Sequence, residues 1–126
     1  MPIFTHVTLG TNNLDKARSF YDSALAPLGL KRLMDMDHGS MYGVDAPEFF
    51  ILKPADGNPA TVGNGLTIGF RAPNRAAINE FHKLALEAGG TDAGAPGPRS
   101  FAPNAYAAYV RDLDGHKILA SCVTPE

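Results

Sequence analysis

Residues 6–30 read "HVTLGTNNLDKARSFYDSALAPLGL". With the three residues before His6, the first part forms "IFTHVTLG", whose alternation of apolar and polar side chains predicts a short half-buried strand. Beyond it, Leu14, Ala17, Phe20, Tyr21, Ala24, Leu25 and Leu28 recur every three or four residues, which places them on one face of a helix. Asn12 or Asn13 can cap that helix through a side-chain oxygen, and Asp15 suits its first turn. Pro27 removes a backbone donor and Gly29 permits positive φ, so the helix ends there.

The same pattern returns at residues 65–90, "GLTIGFRAPNRAAINEFHKLALEAGG". Ile78, Phe81, Leu84, Ala85 and Ala88 share a helix face, Asn74 is the cap and Gly89-Gly90 the stop. Shifting the chain by 61 positions lays Asn13 on Asn74, Phe20 on Phe81, Ala24 on Ala85, Leu25 on Leu86 and Gly29 on Gly90 without a gap. Each strand–helix pair is followed by three short strand-like runs, at residues 31–38, 40–45 and 48–54 and again at 91–96, 105–112 and 116–123. The order is β-α-β-β-β written twice. "DLDG" at residues 112–115 signals a turn between the last two strands. Residues 55–65, rich in Gly, Asn and Pro, read as the link between halves. "GAPGPRSFAPN", residues 94–104, reads as a long Pro-rich loop and a candidate lid. The reading is one domain, residues 1–126, with module one at about 1–55, a linker at about 55–65 and module two at about 65–126.

Composition narrows the function classes. A net charge of −2 with no clustered basic run gives no electrostatic case for nucleic acid. The apolar runs are too short to cross a bilayer, and no cationic leader with an apolar core precedes the first strand. Cys122 is the only cysteine, so neither an intrachain disulfide nor a cysteine-cluster metal site can form. A cytoplasmic protein without nucleic-acid or membrane partners is the expectation. No phosphate-cradling glycine motif and no nucleophile elbow occurs. Asp112 and Asp114 read as turn formers, Met34, Met36 and Met41 as gap-filling core, and His82 as solvent-facing or packed at the helix edge.

The two repeats and the closing "YVRDLDGHKIL" resemble the vicinal oxygen chelate superfamily, which includes glyoxalase I, extradiol dioxygenases, bleomycin-resistance proteins and fosfomycin-resistance thiol transferases. The closing turn carries Leu113 where proline is usual in that family. The resemblance implies an α+β fold of paired βαβββ modules, their strands curled into a U-shaped mixed sheet with the helices outside. Metal-using members take their ligands from the first and last strand of each module. Here those positions fall on His6, on Thr67, on Leu119 and, in the last strand of module one, on Phe50 or Leu52.

One imidazole among a threonine and apolar side chains is a poor donor set for a divalent cation. No metal or other cofactor is expected, and His6 is the only matching ligand position. Glu48 is expected to reach the cleft only by a register shift, and His38 only by a swing of its loop. His6 is then either a hydrogen-bonded residue, a substrate contact or a proton-transferring catalytic group. Period two groups Thr8 with His6, Gly69 with Thr67, and Ser121 with Leu119. The resemblance places Tyr109 at the cleft, while Arg99 and Phe101 of the Pro-rich loop could close over it, Arg99 as a clamp for carboxylate or phosphate. His6, Thr8, Phe50, Thr67, Arg99, Tyr109 and Leu119 form the candidate substrate-binding set.

The functional expectation is a glyoxalase/bleomycin-resistance/dioxygenase-like homodimer that binds or transforms a small polar organic molecule, without the family's usual metal. The alternatives are a non-catalytic sequestering module, or a metal-dependent lactoylglutathione-lyase-like or dioxygenase-like enzyme with unusual ligands.

Overall fold

The computed structural model describes residues 2–126. Module one runs β1 (Val7–Gly10), α1 (Leu14–Ala24), a 3-10 turn (Ala26–Leu28), β2 (Lys31–Met36), β3 (Gly39–Gly43) and β4 (Pro47–Leu52). Module two repeats it as β5 (Thr67–Arg71), α2 (Arg75–Glu87), β6 (Thr91–Pro98), β7 (Tyr106–Arg111) and β8 (Lys117–Cys122). The strands fall into two four-stranded mixed sheets, β1-β4-β3-β2 and β5-β8-β7-β6. In each, the first strand runs parallel to the last and the other contacts are antiparallel. The expected α+β class and doubled βαβββ order are present, and within this chain β1 and β5 remain outer strands that pair on one side only.

Local sequence accounts for the helices. Asn13 Oδ1 accepts from Lys16 N at 3.1 Å and Asn74 Oδ1 from Ala77 N at 2.8 Å, so both expected caps form. Asn12 instead exchanges two hydrogen bonds with Ala60, 3.1 and 2.7 Å long, which pins the linker to the start of α1. All seven apolar positions foreseen for the first helical face are buried, although Leu25 and Leu28 lie past the end of α1.

The 61-residue correspondence holds at the caps and at Phe20/Phe81 and Ala24/Ala85, which are all fully buried. It fails beyond them: Leu25 is buried and Leu86 is exposed. The reason is the Pro27 turn. Module one leaves its helix early and reaches left-handed backbone at Gly29 (φ 88°), whereas α2 continues and does so at Gly89 (φ 101°). Gly90 plays a different part, since a Cβ there would lie 2.8 Å from the Phe20 ring of the other module.

Each helix covers one face of its own sheet, and the covered faces share one core. Phe49 of β4 meets Phe70 of β5 edge to face at 5.1 Å, and α1 packs against α2. The bare faces of the two sheets therefore look outward on opposite sides of that core.

The β7–β8 turn clasps the modules together. Asp112 Oδ1 accepts from Asp114 N and His116 N, which is the turn-forming role expected of it. Its Oδ2 accepts from Tyr21 Oη of α1 at 2.6 Å in the buried interior. Asp114 accepts from Asn12 N at 2.9 Å, and His116 Nε2 donates to Gly10 O at 2.7 Å. Turn former is thus only half of what these residues do.

Burial raises the Asp112 carboxyl above the usual carboxylate range, and the bond from Tyr21 offsets only part of that shift. A carboxyl that holds its proton more tightly folded than unfolded stabilises the fold most below its ordinary pKa. That contribution is lost as pH rises through the raised value. Tyr21→Phe removes the donor and lifts the carboxyl further, so it should cost about 1.5–3 kcal/mol at neutral pH and less in mild acid. Urea unfolding at both pH values checks this; an equal cost at both would place the effect in packing instead.

Candidate functional site

Strand alternation assigns side chains to faces. In β1, Leu9 is buried and Val7 packs against the core, so His6 and Thr8 project from the bare face of sheet one. In β4, Phe49 and Ile51 are buried, so Glu48, Phe50 and Leu52 share that bare face. The His6 ring stacks on Phe50 with centroids 4.2 Å apart and planes 14° from parallel. Its Nδ1 lies 3.0 Å from Thr5 Oγ1. The parallel register pairs Val7 with Phe49 and Thr8 with Phe50, so one step back His6 lies level with Glu48. This corrects the expectation for Glu48: it reaches His6's face in the native register, because residues 48 and 50 share parity.

A second correction concerns the methionines. Met34 is exposed and Met36 and Met41 are half-buried, none of them within the core. The β2–β3 register pairs Met34 with Met41, while Ser40 and Tyr42 between them turn toward α1 and bond Arg18 and Asp22. The thioethers are therefore part of the bare face beside Phe50.

Sheet two presents its own bare face. Ile68, Phe70, Ile118, Ala120, Ala108 and Val110 pack into the core, which leaves the alternate residues outward. Two cross-strand rows follow from the registers, Thr67–Lys117–Arg111 and Gly69–Leu119–Tyr109, with Arg71–Ser121–Ala107 the next. Lys117 Nζ sits 5.1 Å and the Arg99 guanidinium 5.6 Å from the centre of the Tyr109 ring.

The expected 94–104 loop is shorter than the sequence suggests, because β6 continues through Pro98. Proline is tolerated there because β6 is an edge strand. Arg99 donates to the carbonyls of Ala95, Gly97 and Pro98 at 2.8–3.1 Å, which fixes it over the sheet. Phe101 is exposed.

Where β1 and β5 part, a groove of about 870 Å³ opens. Its floor is Leu28, Leu30, Phe49 and Phe70, and His6, Glu48, Thr67, Gly69 and Arg71 reach its rim. Sequence reasoning thus placed His6 and Thr67 at one opening. Phe50, Leu119, Tyr109 and Arg99 lie elsewhere on the two bare faces. It passed over Lys117, Arg71 and Arg111. Period two from Leu119, Gly69 and Tyr109 would have found them.

His38 lies in the β2–β3 turn, where its carbonyl accepts from Lys53 N, and is not a groove residue. His82 is mostly buried at the α2 edge with Nε2 2.9 Å from Asp92, whose carboxyl that bond holds below the usual range.

The family resemblance implies a divalent ion held by the first and last strand of each module, and the donor set decides whether it fits. Thr67 offers a hydroxyl, Phe50, Leu52 and Leu119 offer none, and Gly69 has no side chain. Only His6 and Glu48 carry strong donors there, and among the described residues no group of three His, Cys, Asp or Glu converges. Two donors do not make the four- to six-coordinate shell such ions take. The residues present do not fit the ion.

Because His6 is exposed and bonded only to its neighbour Thr5, His6→Ala should change stability by less than about 1 kcal/mol. Thermal unfolding checks this. A larger loss would mean that the Phe50 stack supports the fold.

The family model described as Glyoxalase/Bleomycin resistance protein/Dioxygenase superfamily matches residues 3–119. A crystal structure of a glyoxalase/bleomycin resistance protein from Albidiferax ferrireducens T118 is 38% identical, with TM-score 0.88 over 95% of this chain and 98% of that one. A glyoxalase-related enzyme from Fulvimarina pelagi shares the fold at 16% identity and TM-score 0.75, covering 96% and 88% of the two chains. A glyoxalase/bleomycin resistance protein/dioxygenase family enzyme from Burkholderia phytofirmans PsJN does so at 13% identity and TM-score 0.73, covering 95% and 98%. No curated protein matches the sequence at a significant level. Among the described residues, no helix is long and apolar enough to cross a membrane.

Proposed function

The chain belongs to the Glyoxalase/Bleomycin resistance protein/Dioxygenase superfamily, and we propose that it binds a small organic molecule on its bare sheet faces without a resident metal ion. The observation that carries this reading is the donor set: His6 alone stands at a family ligand position, stacked on Phe50, where the other positions are Thr67 and Leu119. Such a surface holds ligands by stacking, apolar contact and hydrogen bonds. The test is titration of chelator-stripped protein with Zn²⁺, Ni²⁺, Mn²⁺ and Fe²⁺, followed by calorimetry. The expected result is no stoichiometric tight uptake. One-to-one submicromolar binding of any of them would overturn the metal-free reading.

A second reading, that the bound molecule is also transformed, is favoured by Glu48 sharing the face of His6. An imidazole beside a carboxylate is suited to moving a proton. On this reading His6→Ala abolishes turnover, and an unchanged rate would remove His6 from the chemistry.

The protein works as a homodimer on this proposal. β1 and β5 each have one unpaired edge, and the apolar groove between them is flanked by exposed Ile3, Phe4 and Leu66. Pairing these edges across a two-fold axis closes both grooves and sets the bare face of module one against that of the partner's module two. Sedimentation should show a dimer, and Phe4→Asp should weaken it at least about tenfold; a monomeric wild type would contradict the arrangement. A cytoplasmic setting suits the lone, buried Cys122 thiol.

A further inference from the structure

Residues 65–126 contain six Lys/Arg and six Asp/Glu, yet the fold separates them. Glu80 and Glu87 lie on α2, and Asp92 bonds His82 of that helix. Asp112 and Asp114 turn to module one, and Glu126 accepts from Arg75 N at the start of α2. No carboxylate among the described residues of this module is left for the bare face of sheet two. That face collects Arg71, Arg111 and Lys117 from three adjacent strands, and Arg99 folds back over Tyr109 from the rim.

None of these four cations has a carboxylate within salt-bridge distance among the described residues, in contrast to Arg18 and Arg32, which pair with Asp15, Asp35 and Asp22. The bare face of module one is built differently. It offers Met34, Met36, Met41, Phe50 and Leu52, and its charges Lys31 and Glu48 lie toward one end of the sheet.

We propose that the ligand is an organic anion with an apolar body, its carboxylate or phosphate held by Lys117, Arg99, Arg71 and Arg111 around Tyr109. This rests on the proposed binding function and names the class of molecule it takes. Four like charges on one sheet face repel one another, and a bound anion relieves that repulsion. Arg99 contributes in a set orientation. Its Nη1 and Nη2 already donate to three carbonyls, which leaves Nε and one Nη2 hydrogen for a ligand oxygen. In the proposed dimer the thioether and phenyl surface of the partner's module one lies opposite and takes the apolar body, since flexible Met side chains adapt to ligand shape.

The experiment titrates the wild-type protein calorimetrically with phenylacetate, phenyl phosphate, 2-phenylethylamine and 2-phenylethanol, and with acetate and inorganic phosphate. Phenylacetate or phenyl phosphate, whichever head group the site takes, should bind saturably. The amine and the alcohol should bind at least about tenfold more weakly, as should acetate and phosphate, which lack the apolar body. Lys117→Met and Arg71→Met, each checked for an unchanged melting temperature, should each weaken the anion about tenfold, and added salt should weaken it further. Preferential binding of the amine or the alcohol overturns this proposal alone. Failure of all six probes overturns it together with the binding function on which it rests. Anion binding that neither substitution weakens places the anion elsewhere and also overturns it.

Discussion

A single buried hydrogen bond, Tyr21 Oη to Asp112 Oδ2 at 2.6 Å, joins the first helix to the last turn across 91 residues of sequence. A carboxylate in such a place is costly unless its oxygens are satisfied, and here Tyr21, Asp114 and His116 satisfy both. The same turn also grips Gly10 and Asn12 at the end of β1. With the modules locked in this way, the helix-covered faces meet over a common core and the bare faces are forced outward. The outer edges of β1 and β5 are left without partners. Everything proposed for the site follows from that placement.

The bare faces carry different chemistry because the fold sorts side chains that composition leaves mixed. A net charge of −2 says little about a molecule whose second module keeps its carboxylates on one side of a sheet and most of its cations on the other. Sheet alternation does the sorting, and the helix and clasp absorb the acids. Tyr109 sits at the centre of the cationic field as an apolar surface that both Arg99 and Lys117 can cover. On the other module His6 lies flat against Phe50, which makes the imidazole part of a stacking surface as much as a polar group.

Short-range order was legible in the chain. Both caps, both helical faces and all eight strands follow from periodicity, because each depends on neighbours a few residues away. Contacts that depend on register or on distant closure were not. Nothing local in "DLDG" reveals that Asp112 accepts a hydrogen bond from Tyr21 of α1. The equivalence of Leu25 and Leu86 failed because Pro27 ends one helix early, whereas the other runs on to Glu87. Met34, Met36 and Met41 looked like core because thioethers usually are, and only the β2–β3 register shows them facing outward. Of the candidate site, His6, Thr67 and Tyr109 were accessible from the family resemblance and Arg99 from the Pro-rich loop, whereas the cationic row required counting by twos along β5, β7 and β8.

On this proposal one ligand spans the thioether face of one protomer and the cationic face of its partner. Methyl NMR of ¹³C-methionine-labelled protein titrated with phenylacetate tests it most directly. The account predicts saturable shifts of the Met34, Met36 and Met41 methyls that largely vanish in the Lys117→Met variant. Shifts absent from all three methyls, or unchanged by that substitution, would contradict it.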